Sequence, residues 1–195
     1  MKRILLNIVM GGALALTLAA CHTVKRVDTD STMDISGKWN DVDSRMTAEA
    51  MTEQLLNDQW LKTYMSKNPG KKPVLIVGFV TNKSHEHIEA ETFMKDLEKA
   101  IVKSKKTRLV QGGEKREAIR AEKADQQNNA SVSTMKKWGL EVGADFMIQG
   151  DINTIVDAYK RKKVVYYQVN LELTNIQTSE VVWIGEKKIK KYVKN

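Results

Sequence analysis

Directly after Pro73 the chain reads Val74-Leu75-Ile76-Val77-Gly78-Phe79-Val80, seven residues without a polar side chain. A strand with one wet face alternates. A run that is apolar at every position needs cover on both faces, as a central strand of an α/β sheet has. The flanking segments offer that cover. In residues 43–65, Ala48, Met51 and Leu55 form one stripe, and Leu56, Trp60 and Tyr64 another at i, i+4 spacing. This predicts one helix, capped by Asp43 or Ser44 and stopped by Lys67-Asn68-Pro69-Gly70. After a polar loop at 81–87, the positions of Ala90, Phe93, Leu97, Ala100 and Ile101 predict a second helix, closed by the cations at 103–106.

Arg108-Leu109-Val110 is a short second strand that ends at Gln111-Gly112-Gly113. Residues 114–127 read as a strongly charged helix with only Ala118, Ile119, Ala121 and Ala124 to bury. Its Arg116 and Arg120 can pair with Glu117 and Glu122. A further short helix from Ser131 or Ser133 would bury Met135, Trp138 and Val142 and stop at Gly143. Residues 145–157 then form a third strand, and 160–163 a turn. Residues 164–174 alternate, with Val165, Tyr167, Val169, Leu171 and Leu173 on one face and Tyr166, Gln168, Asn170 and Glu172 on the other. A last strand runs from Val181 toward Tyr192. The expected fold is α/β (α+β): one domain with a mixed sheet of about five strands, β-α-β-α-α-β followed by an antiparallel meander, with flanking helices. If the first three strands are parallel, their outgoing loops share one sheet edge. That edge gathers residues 81–87, 111–113 and 158–163, and the last strand brings 187–194 to it.

The amino terminus carries Lys2 and Arg3, an apolar run over 4–18, and Leu18-Ala19-Ala20-Cys21. This is the build of a secretory signal peptide, too short and too rich in glycine for a good membrane span. Cys21 is the single cysteine of the chain, so no internal disulfide can explain it. The pattern resembles a bacterial lipobox, in which the cysteine is acylated, with palmitate among the chains, and becomes the first mature residue. An ordinary signal peptide with an incidental cysteine is the alternative. His22 follows, where an aspartate favours inner-membrane retention in Gram-negative lipoproteins, so the resemblance points to the outer membrane. The expected organisation is a signal peptide at 1–20, a lipidated flexible tether at 21–41, and a domain at 42–195. Twenty extended residues span at most ~70 Å.

Export argues against nucleic acid as a partner, which leaves the charge to be explained otherwise. The whole chain carries a formal +8, falling to +6 without Lys2 and Arg3. From Lys160 to Asn195 there are nine Lys/Arg and three Asp/Glu, so the positive charge is local. It fits a surface for an acidic protein or an anionic envelope polymer. It equally fits lysines on an exposed strand that discourage edge pairing.

No catalytic constellation stands out. With Cys21 acylated, no thiol nucleophile remains, and the mature histidines are His22, His85 and His87. His85-Glu86-His87 with Glu89 and Glu91 can be read as metal ligands, but one short loop supplies no distant further ligand. A capping, hydrogen-bonded loop is the better reading. Gly112-Gly113 lacks the Lys-Ser/Thr of a phosphate loop. The expectation is a protein without enzymatic activity, cofactor or resident metal. Its candidate partner-facing residues are Asn82, Lys83, Glu86 and His87 for short contacts, and Lys162 and Lys163 for long-range attraction.

Three stretches carry a family likeness: residues 36–44, Ser-Gly-Lys-Trp-Asn-Asp-Val-Asp-Ser; residues 82–88, Asn-Lys-Ser-His-Glu-His-Ile; and residues 143–150, Gly-Ala-Asp-Phe-Met-Ile-Gln-Gly. With the lipobox and the order of elements, they make the chain resemble the penicillin-binding-protein activator LpoB family over roughly residues 36–191. The resemblance implies a non-catalytic outer-membrane lipoprotein that stimulates a bifunctional peptidoglycan synthase, a penicillin-binding protein of the inner membrane. Well-known members carry a long proline-rich linker, whereas this chain has a short one without proline. The fold also resembles the amino-terminal domain of the translocation protein TolB and the periplasmic part of the curli-secretion lipoprotein CsgG. That likeness keeps a structural role in an envelope or secretion assembly as the alternative.

Overall fold

The computed structural model describes residues 24–29, 31–129, 131, 133 and 141–194. The chain divides into two units, Met1–Thr32 and Met33–Asn195. In the first, the described residues include a turn in which the Ser31 amide donates to the Asp28 carbonyl at 3.1 Å. Cys21 and the signal segment lie outside the described residues.

The second unit holds four α-helices and five strands among its described residues. In chain order they are α1 (Asp41–Asn57), α2 (Gln59–Lys67), β1 (Val74–Asn82), α3 (Ala90–Ser104), β2 (Arg108–Leu109), α4 (Gly113–Asn129), β3 (Phe146–Tyr159), β4 (Lys162–Asn175) and β5 (Val181–Lys194). The sheet order is β2-β1-β3-β4-β5. β1 pairs in parallel with β2 and β3, and β3, β4 and β5 form an antiparallel meander. The mixed five-stranded sheet matches the sequence reading, because the continuous run and the alternating runs each demand a different degree of cover.

One sheet face packs on α1 and α3. Phe93, Leu97 and Ile101 of α3 and Met51 and Leu55 of α1 are buried against Leu75, Ile148, Ile152, Val165, Tyr167, Val169 and Leu173. Edge-to-face contacts of Phe146 with Trp60 at 5.3 Å and with Tyr64 at 5.7 Å close one end of this core.

Three details of α1, α2 and β1 differ from the sequence reading. The helix expected over 43–65 is two helices. Asp58 adopts extended backbone and its side chain accepts from the Trp60 amide at 3.0 Å, so it ends α1 and caps α2. The break turns Trp60 inward, where its Nε1 donates to the Leu55 carbonyl at 2.7 Å. The cap of α1 is Asn40: its side chain accepts from the Asp43 amide at 3.2 Å, and the Asp43 carboxylate accepts from the Asn40 amide at 3.0 Å. Within β1, a register shift between Val77 and Val80 turns Phe79 outward, so only Val74 to Val77 are buried without interruption.

In α4 no described residue is buried, so Ala118, Ile119, Ala121 and Ala124 form no core face. The helix is instead tied by charge: Arg120 donates to both oxygens of Glu141 at 3.1 and 3.0 Å and to Glu117 at 2.6 Å. The Arg120 hydrogen bond leads the causes that hold the Glu141 carboxyl below its ordinary range. Of the short helix expected after Ser131, Met135 and Trp138 lie outside the described residues. Val142 is exposed and not helical.

Candidate partner-binding surface

β3 is the longest exit from the parallel part of the sheet. Its pairing with β1 ends at Ile152 opposite Asn82, and it continues to Tyr159 as one strand of a ribbon with β4 and β5. The overhang of seven residues measures about 23 Å. The ribbon ends in the turn at Lys160 and Arg161, and β5 finishes at the same end. Of the segments expected at one sheet edge, 81–87, 158–163 and 187–194 lie at this end, whereas β2 stops at Leu109 opposite Leu75 and 111–113 stays beside the middle of β1, with Gly112 against Ile76.

The loop that leaves β1 is fixed from inside. The Asn82 side-chain amide donates to the Glu86 carbonyl at 2.8 Å, and its oxygen accepts from the Ser84 amide at 2.9 Å. The Glu86 carboxylate accepts from the Tyr167 hydroxyl at 2.8 Å and from the Trp39 amide at 3.1 Å. Burial first, and then the hydrogen bond to Glu86, raise the Tyr167 hydroxyl above its ordinary pKa, so it remains a donor throughout the physiological range. Lys83 reaches over β3 to Asp151 at 3.0 Å, and the His85 amide lies 3.4 Å from the Thr154 hydroxyl. Burial works against the Asp151 anion, but bonds from Asn170 and Lys83 outweigh it and hold its pKa below the ordinary value. His87 pairs with Glu89 at 2.5 Å, and both are exposed.

The six sequence-selected residues thus separate. Asn82 and Glu86 hold the loop together and do not project from it. Lys83 and His87 are its exposed side chains, together with His85. Lys162 and Lys163 stand opposite Tyr159 and Ala158, about 20 Å further along the ribbon than Asn82, and as neighbours in a strand they project to opposite faces. The sheet brings the loop and the two lysines to one edge without bringing them into one patch.

A further set escaped the sequence reading. Residues 33–40, assigned to the tether, belong to the second unit. Trp39 meets the Tyr167 ring at 5.5 Å and donates from Nε1 to the Ser44 hydroxyl at 2.7 Å. Lys191 of β5 binds Asp43 at 2.5 Å, Asp34 at 2.7 Å and the Lys38 carbonyl at 2.8 Å. Burial alone would lower the Lys191 pKa, but the carboxylates of Asp34 and Asp43 outweigh it and raise it. Gly37 sits at φ 67°, and a Cβ there would lie 2.2 Å from Val193 Cγ2, so glycine is needed both for its conformation and for the approach to β5. The sequence held one signal for this strap: Asn40 and Asp43, three residues apart, are a capping box just after Trp39.

Among the described residues, no group of three or more His, Cys, Asp or Glu is placed to hold a metal ion. The Glu86 carboxylate is engaged by the Trp39 amide and the Tyr167 hydroxyl. At the opposite end of the sheet, a groove of about 790 Å³ is lined by Trp60, Tyr64, Asp145, Phe146, Asn175 and Glu180. Its Asp145 carboxylate is engaged by the Tyr64 hydroxyl at 3.0 Å and the Val74 amide at 2.8 Å. Among the described residues no helix is long and apolar enough to cross a membrane.

The family described as peptidoglycan-synthase activator LpoB matches residues 43–189, three quarters of the chain and nearly all of the sheet and its helices. The chain belongs to this family. No curated protein matches it by sequence. Among solved structures it is similar to the LpoB carboxy-terminal domain of Salmonella enterica, at 18% identity over 73% of this chain and 96% of that one, with a TM-score of 0.39. The same domain from Escherichia coli is 20% identical over 69% and 100%, with a TM-score of 0.37. A lipoprotein of Neisseria meningitidis is 11% identical over 62% and 83%, with a TM-score of 0.39. Membership rests on the family match alone. That match begins at Asp43, the residue that both completes the α1 cap and binds Lys191, and it ends at Ile189 of β5.

Proposed function

We propose that the protein is an outer-membrane lipoprotein, anchored through acylated Cys21, that binds and stimulates a bifunctional peptidoglycan synthase and has no catalytic activity of its own. The observation that carries this is the family match over residues 43–189. The lipobox-like Leu18-Ala19-Ala20-Cys21 supports the anchor.

The synthase contact is assigned to the loop at 83–87. Lys83, His85 and His87 are exposed there, while Asn82 and Glu86 hold the backbone in one shape from beneath. A loop ordered before binding loses less conformational freedom on docking than a mobile one. Lys162 and Lys163, about 20 Å away, lie more than two Debye lengths from this patch at physiological salt. The reading therefore separates them from the synthase contact.

The test is capture of the synthase by the full acylated chain from detergent-solubilised envelopes, followed by binding kinetics with the purified pair. The double variant Lys83→Glu/His87→Ala should shorten the lifetime of the complex. Lys162→Glu/Lys163→Glu should leave that lifetime unchanged. Capture of other envelope lipoproteins and no synthase would favour the structural role instead.

A further inference from the structure

The part of β3 that overhangs β1 is an edge of the sheet. The Lys83 amide donates to the Ile152 carbonyl at 2.8 Å, so the backbone of Ile152 points away from β4. Backbone direction alternates along a strand, so Thr154, Val156 and Ala158 also turn N–H and C=O outward. Ile155, Asp157 and Tyr159 turn theirs to β4, in agreement with the two-residue turn that joins Tyr159 to Lys162. Pairing with β1 ends at Ile152, and among the described residues no other backbone group bonds the outward groups of Thr154, Val156 and Ala158. The loop at 83–87 comes as far as Thr154, whose hydroxyl lies 3.4 Å from the His85 amide, and leaves Val156 and Ala158 bare.

The edge on the far side of the ribbon is guarded. By the same alternation β5 turns the backbone of Glu186, Lys188, Lys190, Tyr192 and Lys194 outward. The Gln54 side chain caps the Glu186 carbonyl at 3.3 Å, and lysine at 188, 190 and 194 is a usual means of keeping strands from adding to an edge. The overhang of β3 has no such protection. From Asn153 to Tyr159 it holds no lysine, arginine or proline, and its one charge is Asp157. Ile155, Val156 and Tyr159 are 67%, 42% and 71% exposed. Unpaired backbone groups between exposed apolar side chains make a template for a further strand.

A second copy fits this edge poorly. Antiparallel pairing about Asp157 sets the two aspartates opposite one another, and like charges there are destabilising. Pairing about Val156 brings Lys160 and Arg161 of one copy onto Lys83 of the other, which already occupies the edge at Ile152. A segment with a carboxylate where the loop presents Lys83, His85 and His87, and with apolar side chains beside Ile155 and Val156, fits in both charge and cover. We propose that the overhang of β3 receives an extended segment of the peptidoglycan synthase as an added strand along Thr154–Ala158, with an acidic side chain at the end next to the loop at 83–87. The inference rests on the synthase reading and extends that contact from the loop to the strand beside it. β3 stands between the added strand and Lys162 and Lys163, which stay outside the contact.

The experiment follows amide hydrogen exchange residue by residue on the full acylated chain in detergent, alone and with the purified bifunctional synthase from the same cell. The Val156 and Ala158 amides should exchange freely in the protein alone and slow by about tenfold or more in the complex. The Ile155 and Asp157 amides, bonded to β4, should be protected in both. Val156→Pro removes one outward N–H and leaves the ladder to β4 intact, because proline is tolerated on an edge where its nitrogen faces solvent. It should weaken synthase binding by about tenfold or more, with circular dichroism unchanged. Lys190→Pro makes the same change on the β5 edge and should leave binding as it is. Bound synthase with free exchange at 156 and 158 overturns the inference and leaves the synthase reading standing, as does unaltered affinity of folded Val156→Pro. If Val156→Pro fails to fold, exchange in the wild type decides. Protection at 156 and 158 in the protein alone, rising with its concentration, overturns the inference in favour of a second copy. No synthase binding by folded, acylated wild type overturns the synthase reading and the added strand together.

Discussion

Lys191 is the clearest single point at which the amino-terminal strap depends on the sheet. Its ammonium bridges Asp34, Asp43 and the Lys38 carbonyl, and the Lys191 and Asp43 side chains keep only 9% exposure. Lys191→Met preserves the aliphatic stem and removes the charge. Breaking a buried pair by deleting one partner costs about 3–5 kcal/mol. Here Asp34 is 43% exposed and can return to water, and Asp43 retains its bond from the Asn40 amide. The expected loss is therefore about 2–4 kcal/mol. For a domain of this size that is a fall of roughly 5–15 °C in Tm. The sign of the pH dependence follows from the raised pKa of Lys191. A group whose pKa is raised on folding stabilises the fold below its unfolded value, near 10.5 for lysine, and that contribution is lost as pH climbs through the folded value. The gap between wild type and Lys191→Met should thus hold from neutral pH to about pH 10 and narrow above it. The assay is denaturant unfolding followed by tryptophan fluorescence, with Asp43→Asn and the double variant completing a cycle. A loss under about 1 kcal/mol, or strict additivity of the two single variants, refutes the clamp.

Cys21→Ser should release the protein from membranes and leave the circular dichroism spectrum intact; fatty acid absent from the wild type by mass spectrometry would contradict the anchor. Trp183 is 7% exposed and its ring lies across Gly185, where a Cβ would fall 2.2 Å from Trp183 Cζ2. Trp183→Ala should cost about 3–5 kcal/mol in unfolding free energy, and a change below about 1 kcal/mol would contradict this packing. Glu86→Ala removes the acceptor shared by Tyr167 and Trp39. Amide exchange in residues 83–89 should quicken well beyond that in α3, and equal protection in both would show that Glu86 does not order the loop.

The strands were legible because burial writes itself into their period. The run at 74–77 is covered on both faces and unbroken, while β4 alternates and every second residue from Val165 to Leu173 is buried. Phe79 misled because its outward turn depends on a register shift against β3, which lies some seventy residues away in sequence. The break at Asp58 was hidden by apolar spacing that continues across it, although aspartate is a strong helix cap and stood in the right place. The strap was the larger omission. Residues 33–40 are locally polar and aperiodic, so they read as tether, and the partners that order them, Tyr167, Lys191 and Val193, come from strands far along the chain. Glu86 carried the same ambiguity: an acid in a polar loop looks solvated until Tyr167, 81 residues later, arrives beside it.

The most direct measurement is the rate of glycan-strand synthesis and cross-linking by a purified bifunctional peptidoglycan synthase from the same cell, with and without the full acylated chain. The account predicts a saturable increase in rate with the wild type and a weaker response with Lys83→Glu/His87→Ala at equal concentration. No binding and no increase from folded, acylated protein would contradict it, and would leave a structural role in the envelope as the reading to pursue.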